Sequence, residues 1–289
     1  MTFISQLGYV PNIKKKIKGP KELRPQDISI VIPVKNNQVG IEVLLNAFFS
    51  TQEAHYYPKE IIIVDDVEPE IIIPPCYYRY KLPISVIHCY KTGPAAARNL
   101  GWKQAQGEWI LFTDSDCIPQ KEWITGYMES INGSIGYAGN LKSHGSDLIS
   151  KYYESQKILI PPPFSYRGAV YPEFLVTANA LVWKCALEEI NGFDEDILIA
   201  AGEDVDLGFR LREIGDISYA LDSVTHHNFD DGIKGFIKRF KRYGEGNRRI
   251  SKLYNLALKP RPFKPVHYSI PNYLLSKLQY YCLSKGYSK

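Results

Sequence analysis

Asp114 and Asp116 close an apolar run, Trp109-Ile-Leu-Phe-Thr113, with one small residue, Ser115, between them. Two carboxylates at the C-terminal edge of a strand sit where open α/β sheets bind ligands. They form an oxygen-rich site suited to a hard divalent cation, one that usually arrives with substrate phosphates. The ordinary explanation is a polar turn leaving a buried strand. Three further groups at strand ends or helix starts weigh against it. Asp65-Asp66 follows Ile61-Ile-Ile-Val64, where a carboxylate can accept hydrogen bonds from a nucleobase imide or a ribose, or simply cap a turn. Glu203, Asp204 and Asp206 crowd the start of one predicted helix. The helix dipole favours acids there, but one helix start has no need of three. His226-His227 follow a late strand, and a histidine downstream of a two-aspartate site is a candidate ligand.

The elements that must position these groups are legible as periodicity. Ile28-Ser-Ile-Val-Ile-Pro33 reads as a buried strand stopped by proline, 60–66 as a second, and 83–88 as a third. Ile41, Leu44, Leu45, Phe48 and Phe49 form a helical stripe. Pro94 suits the first turn of a helix running toward Gln106, and Gly107 precedes the strand into Asp114. Strand–helix alternation of this kind predicts a parallel, doubly wound α/β sheet. Farther on, 121–132 and 148–157 read as helical and 174–183 as extended. A helix over 203–213 is closed by Gly215, and 217–221 is a strand. A basic amphipathic helix over 232–256 and a helix near 271–284 end the chain. These boundaries predict a basic extension over 1–27, a catalytic domain over 28–231 and an appendage over 232–289.

At 289 residues, 45% hydrophobic and 23% charged, the chain has the composition of a globular protein with a substantial core. No apolar run approaches the ~20 residues of a spanning helix. Lys14, Lys15, Lys16 and Lys18 are not followed by an apolar segment, so no secretory signal is expected. Five scattered cysteines (76, 89, 117, 185 and 282) without C-x-x-C spacing fit reduced thiols and a cytoplasmic location.

Taken in order, these segments resemble bacterial glycosyltransferases of family 2, which have the GT-A fold. The segments are Ser29-Ile-Val-Ile-Pro33, Ile63-Val-Asp-Asp66, Gly93-Pro-Ala-Ala-Ala-Arg98-Asn99-Leu-Gly101, Thr113-Asp-Ser-Asp116, Asn191-Gly-Phe-Asp194 and Gly202-Glu-Asp-Val-Asp-Leu-Gly-Phe-Arg210-Leu. The resemblance implies a Rossmann-like, doubly wound mixed sheet and a nucleoside-diphosphate-sugar donor, a UDP-sugar foremost. It implies that Pro33, Val34 and Lys35 lie under the base, that Asp65 and Asp66 contact it, and that Arg98 faces the diphosphate. Asp114, with Ser115, would touch the ribose; Asp114, Asp116 and His226 would hold Mn2+ or Mg2+, with His227 the fallback. Asp204 would be the catalytic base of an inverting displacement, and Glu203 its alternate. Val67-Glu-Pro-Glu70 departs from the family's usual Gly-Ser-x-Asp, and Val34-Lys35-Asn36 from its usual Thr-Tyr-Asn. Absence of the Q-x-x-R-W signature implies one sugar per encounter.

Ile233, Phe236, Ile237, Phe240 and Tyr243 fall at helical spacing among Lys234, Lys238, Arg239, Lys241 and Arg242. Such a helix lies on an anionic membrane surface, packs on the catalytic domain with a solvated cationic face, or binds pyrophosphate or an acceptor phosphate. The first option fits a lipid-linked acceptor at the inner face of the membrane; other sugar or hydroxyl acceptors fit the second. No nucleic-acid-binding motif accompanies the charge. The rivals are a retaining glycosyltransferase, a nucleotidyltransferase and a catalytically silent nucleotide-sugar-binding subunit.

Overall fold

In the computed structural model, which describes residues 8–12, 16–65, 71–91, 93–166, 168–229 and 231–289, alternating apolar runs become one curled sheet. Strand β1 (Ile28–Val34) leads into helix α1 (Gln38–Thr51), then β2 (Glu60–Asp65) and β3 (Ile84–His88). Helix α2 (Pro94–Gln104) returns the chain to β4 (Trp109–Thr113), followed by the short β5 (Cys117–Pro119) and α3 (Trp123–Ser130). Next come β6 (Gly136–His144), α4 (Leu148–Ser155) and a hairpin of β7 (Pro163–Tyr166) and β8 (Ala169–Pro172). The catalytic-domain candidates end with β9 (Asn179–Trp183), α5 (Lys184–Glu189), α6 (Glu203–Ile214) and β10 (Ile217–Asn228). Helices α7 (Gly232–Tyr254) and α8 (Ile270–Tyr287) complete the chain.

The sheet order is β3-β2-β1-β4-β9-β6-β10-β5. Strands β1 to β4 pair in parallel, as alternation predicts. Beyond them β9 runs antiparallel to both β4 and β6, and β5 antiparallel to β10, while β6 and β10 pair in parallel, as the mixed sheet implied by the resemblance requires. The sheet is therefore mixed. Strand β9 is held there by Asn179, whose amide oxygen accepts from Trp123 Nε1 (2.8 Å) and Tyr127 OH (2.9 Å). Its amide nitrogen donates to Asn140 O (3.2 Å) and Ser223 O (2.9 Å). Strand β10 is longer than the segment 217–221 read from the sequence. It carries a bulge: Ala220 and Val224 pair with the adjacent residues Gly139 and Asn140 of β6.

Apolar side chains fill both faces of the sheet. Ile28, Ile30 and Ile32 pack with Leu44 and Phe48 of α1 on one side. Val31, Ile62 and Val64 pack with Ala95, Ala96 and Ala97 of α2 on the other. A separate cluster joins Tyr152 and Tyr153 of α4 to Phe236 and Phe240 of α7 and Leu275 and Leu283 of α8. Phe236 and Phe240 are fully buried there.

Candidate active site

The expected site residues come from the ends of β1 and β4 and the first turns of α2 and α6. Both helices start at a left-handed glycine, Gly93 (φ +102°) and Gly202 (φ +96°). A side chain is disfavoured at such φ, and a Cβ on Gly93 would also lie 2.8 Å from the Leu198 carbonyl. Both turns open onto one cleft of about 850 Å³. Pro33, Val34, Lys35, Arg98, Asp114, Ser115, Asp116, Glu203 and Asp204 all border it, so the structure brings nine of the expected residues together.

Arg98 lies at the centre of this wall. Its terminal nitrogens donate to Asp114 Oδ1 (2.8 Å) and Glu203 Oε1 (3.1 Å), with Arg98 and Glu203 both buried. Hence Arg98, expected to face the diphosphate, spends two donors on carboxylates. Its Nε and Glu203 Oε2 are buried without a hydrogen-bond partner. Orphaned buried polar atoms are rare enough to mark a place where a ligand or water completes the network.

The three acids of α6 divide by environment. Asp206 accepts from Arg210 (2.5 Å to Nη2) and from Tyr254 OH (2.5 Å) at the end of α7. Arg210 in turn donates to Ile190 O (2.9 Å) and Gly192 O (2.6 Å), which ties down the Asn191–Asp194 turn. Asn99 secures the same turn, donating to Phe193 O and accepting from Phe193 N, each at 2.9 Å. Asp206, buried in these ties and absent from the cleft wall, is a structural anchor. Glu203 pairs with Arg98, and only Asp204 presents a carboxylate to the cleft without a salt-bridge partner among the described residues. Burial pushes the Asp204 carboxyl up to about 6, against the opposing charge of Arg98. Glu203 is also raised, by burial first and by the adjacent Asp204 second.

The histidine beside Asp116 is His227, which corrects the expectation for His226. His227 Nε2 lies 3.4 Å from Asp116 Oδ1, and its ring borders the cleft. Successive strand residues point to opposite faces, so His226 turns away and sits 6.1 Å from the His144 ring. Burial, His144 and Lys142 lower the pKa of His226. The bulge breaks the alternation along this strand. Adjacent partners on β6 face opposite ways, so Ala220 and Val224 do too, although plain alternation would put residues four apart on one face.

A divalent cation is tested by donor chemistry. His227 Nδ1 lies 2.9 Å from Asn228 O. A carbonyl only accepts, so Nδ1 carries a proton, and Nε2 is the nitrogen that faces Asp116. Cys117 Sγ completes a group with Asp116 and His227 whose ligand atoms lie within 4.8 Å of one another. That thiol instead lies 3.6 Å from Ala178 O, and burial raises its pKa well above the ordinary value. It is a poor ligand for a hard ion. Asp116 and the His227 imidazole suit Mn2+ or Mg2+ completed by phosphate oxygens, while Asp114 is held by Arg98.

Asp65 is fully buried and accepts from Ile71 N (3.0 Å); it is not in the cleft wall. Asp66 lies outside the described residues. Several wall residues were not among the expected site residues. Asn37 caps α1 through Gly40 N (3.1 Å) and donates to Ser115 Oγ (3.0 Å), fixing the Asp114–Asp116 turn. Lys238, Arg239, Arg242 and Tyr243 of α7 close the opposite side of the cleft. Arg239 donates to Asp231 (2.8 Å) and Tyr153 OH (3.0 Å) and sits 4.6 Å over the Phe229 ring. Their signal was present as a run of cations at helical spacing, but which neighbour the helix would face was not.

A mixed α/β sheet with acids gathered at its strand ends is the framework of GT-A enzymes, and residues 29–175 match the model of glycosyl transferase family 2. The chain belongs to that family. It is 27% identical over 234 residues to the pre-mycofactocin glycosyltransferase of Mycobacterium tuberculosis, covering 76% of this chain but only 46% of that relative. It is 27% identical over 250 residues to the glycosyltransferase AglE of Haloferax volcanii, covering 80% of this chain and 76% of the relative. A Pyrobaculum calidifontis mannosyltransferase solved with GDP-Man and Mn2+ shares the fold at a TM-score of 0.58 and 16% identity, over 95% of this chain and 77% of that one. Staphylococcus aureus TarS 1-349 in complex with UDP-GlcNAc superposes at a TM-score of 0.52 with 20% identity, over 79% and 73% of the two chains.

Proposed function

We propose that this protein transfers a glycosyl group from a nucleoside diphosphate sugar to an acceptor hydroxyl, in one displacement that inverts the anomeric carbon. The observation that carries the reading is the division of acids: Asp204 faces the cleft with no ion pair among the described residues, Asp114 and Glu203 hold Arg98, and Asp116 lies beside His227 on the same cleft. Asp204 takes the proton of the acceptor hydroxyl as that oxygen attacks the anomeric carbon. A carboxyl held near 6 is ionised at neutral pH yet basic enough for general-base work.

The sugar's departing diphosphate belongs at the Asp114–Asp116 turn. Asp114, Asp116 and His227 are the residues that would hold Mn2+ or Mg2+, and the bound ion would neutralise charge on the leaving group. Arg98 stays between Asp114 and Glu203, keeping the carboxylates in place and supplying positive potential to the phosphate side. Pro33, Val34 and Lys35 border the end of the cleft where the base would lie. The donors named in the TarS and mannosyltransferase structures make UDP- and GDP-sugars the first to try, uridine foremost. The acceptor is a sugar or lipid-linked hydroxyl, and one sugar is added per encounter.

Peripheral membrane contact through residues 233–252 loses its apolar anchor, because Phe236 and Phe240 are buried against α4 and α8. The helix is instead a wall of the cleft. A thermal-shift screen of nucleotide sugars, with and without Mn2+, tests the reading directly. The true donor raises the melting temperature by mass action, more so with metal. No response to any nucleoside diphosphate sugar in either condition defeats it.

A further inference from the structure

We propose that the outer face of α8, with the segment leading into it, docks on an anionic lipid surface. The inner face of α8 is already used. Leu275, Gln279, Cys282, Leu283 and Gly286 are buried, and a Cβ on Gly286 would lie 1.8 Å from the Lys241 carbonyl of α7. The outer face carries Ile270, Leu274, Lys277, Tyr281 and Lys285, which recur at steps of three and four and so form one stripe. Ile270 is 72% exposed, Leu274 61% and Tyr281 55%. These are large apolar side chains with nothing over them among the described residues.

The charge carried by this segment of the chain has one sign. No Asp or Glu follows Glu245, whereas the last 44 residues hold nine Lys and Arg. The preceding 245 residues reverse the balance, with 26 Lys and Arg against 31 Asp and Glu. Of the nine, Lys289 is paired with Glu245 at 2.7 Å. Lys259, Arg261 and Lys264 are exposed in the segment before α8, as are Val266 and Tyr268. On the helix, Lys277 Nζ lies 5.2 Å from the Tyr273 ring and Lys285 Nζ 5.6 Å from the Tyr281 ring.

Aliphatic tips, tyrosines and lysines on one helical face are the ingredients of a helix lying in the headgroup layer. The apolar edge enters the acyl boundary, the phenols sit at the interface, and the ammonium groups reach lipid phosphates. A protein groove complementary to this face would need acids spaced to match a few fixed lysines. A bilayer needs only a negative surface, and the whole tract is cationic. No helix among the described residues is long and apolar enough to cross a membrane, so the contact lies on the surface.

Co-sedimentation of the full chain with phosphatidylcholine vesicles, with and without phosphatidylglycerol, at low and high salt, tests the proposal. No sugar nucleotide is added, so the outcome is independent of the donor reading. The expected result is binding to anionic vesicles that weakens with salt. Lys277→Glu/Lys285→Glu and Leu274→Ser/Tyr281→Ser should each lose more than about tenfold in affinity. Lys21→Glu/Lys121→Glu, with the same change in net charge on exposed residues elsewhere, should lose far less. Melting curves confirm that each variant is folded, and Lys277→Gln/Lys285→Gln replaces the charge reversal if it is not. Three results overturn the proposal: no binding to anionic vesicles at low salt, equal loss in the control pair, or a dimer in sedimentation velocity that Leu274→Ser/Tyr281→Ser dissolves.

Discussion

The two walls of the cleft are built on different principles. The wall from β1, β4 and the starts of α2 and α6 is made of strand ends and first helical turns, whose side chains point where local geometry sends them. The wall from α7 is a helix laid across the opening, whose contribution depends on which of its faces finds a neighbour. On the first wall, Asp114 and Asp116 reach the cleft because β4, parallel to β1, delivers its C-terminal end to that edge, and Asp204 joins them from the first turn of α6. On the second, Phe236 and Phe240 turn to α4 and α8, leaving Arg242 and Tyr243 to the cleft. A wall of strand ends can be read locally; a wall made by docking cannot.

The sharpest separation of the two comes from the base. Asp204→Asn should cut turnover by roughly 10²–10⁴-fold with little change in donor affinity, whereas removing Arg242 should leave the chemical step within a small factor. Steady-state kinetics with calorimetric donor titration would show it. If Asp204→Asn keeps full turnover and Glu203→Gln does not, the base moves one residue.

Within β10 the comparison is between neighbours. His227→Ala should raise the Mn2+ concentration needed for half-maximal activity by about 10–100-fold, the scale seen when a metal's immediate surroundings are disturbed. His226→Ala should leave it unchanged. Equal effects would break the assignment by strand parity.

On the α7 side, Phe240→Ala should cost about 3–5 kcal/mol in a denaturant melt, because the ring is fully buried against Tyr153 and Phe236. A loss well below 1 kcal/mol would mean the helix is a loosely held flap.

The smallest expected effect is on pH. The base must be ionised, so kcat/KM should fall as pH drops through about 6, above the range of an ordinary aspartate. Stability should move the other way. Folded-state pKa values raised above the unfolded ones favour the protonated fold, so the contribution of Glu203 and Asp204 is full below the unfolded values and is lost as pH rises through the folded ones. Melting temperature compared with a Glu203→Gln/Asp204→Asn variant across pH 5 to 8 isolates it, and a difference with no pH dependence contradicts the burial of the pair.

The strands 28–33, 60–66 and 83–88, the stripe from Ile41 to Phe49 and the turn at Asp114 were legible because period and turn chemistry are local properties of sequence. The antiparallel insertion of β9 was not, since it is fixed by the hydrogen bonds of Asn179 to residues 39 to 56 positions away. Nor do residue type and spacing separate Asp206 from Asp204; only the family resemblance singled out Asp204. Both are acids in one first turn, and only the arrival of Tyr254 and Arg210 makes one an anchor.

The bulge in β10 bears on how this family could drift. Residues 221–223 have no counterpart on β6, and Leu221 among them is exposed. Ser223, however, is fully buried, accepting from Asn179 Nδ2 (2.9 Å) and donating to Trp123 O (2.7 Å), so the bulge is fixed by β9 and α3. A single deletion between Thr225 and Asn228 would exchange the inward histidine for its neighbour. Length changes on the two sides of Val224 therefore differ in kind: upstream they displace Ser223 from Asn179 and Trp123, downstream they rewrite the donor set beside Asp116.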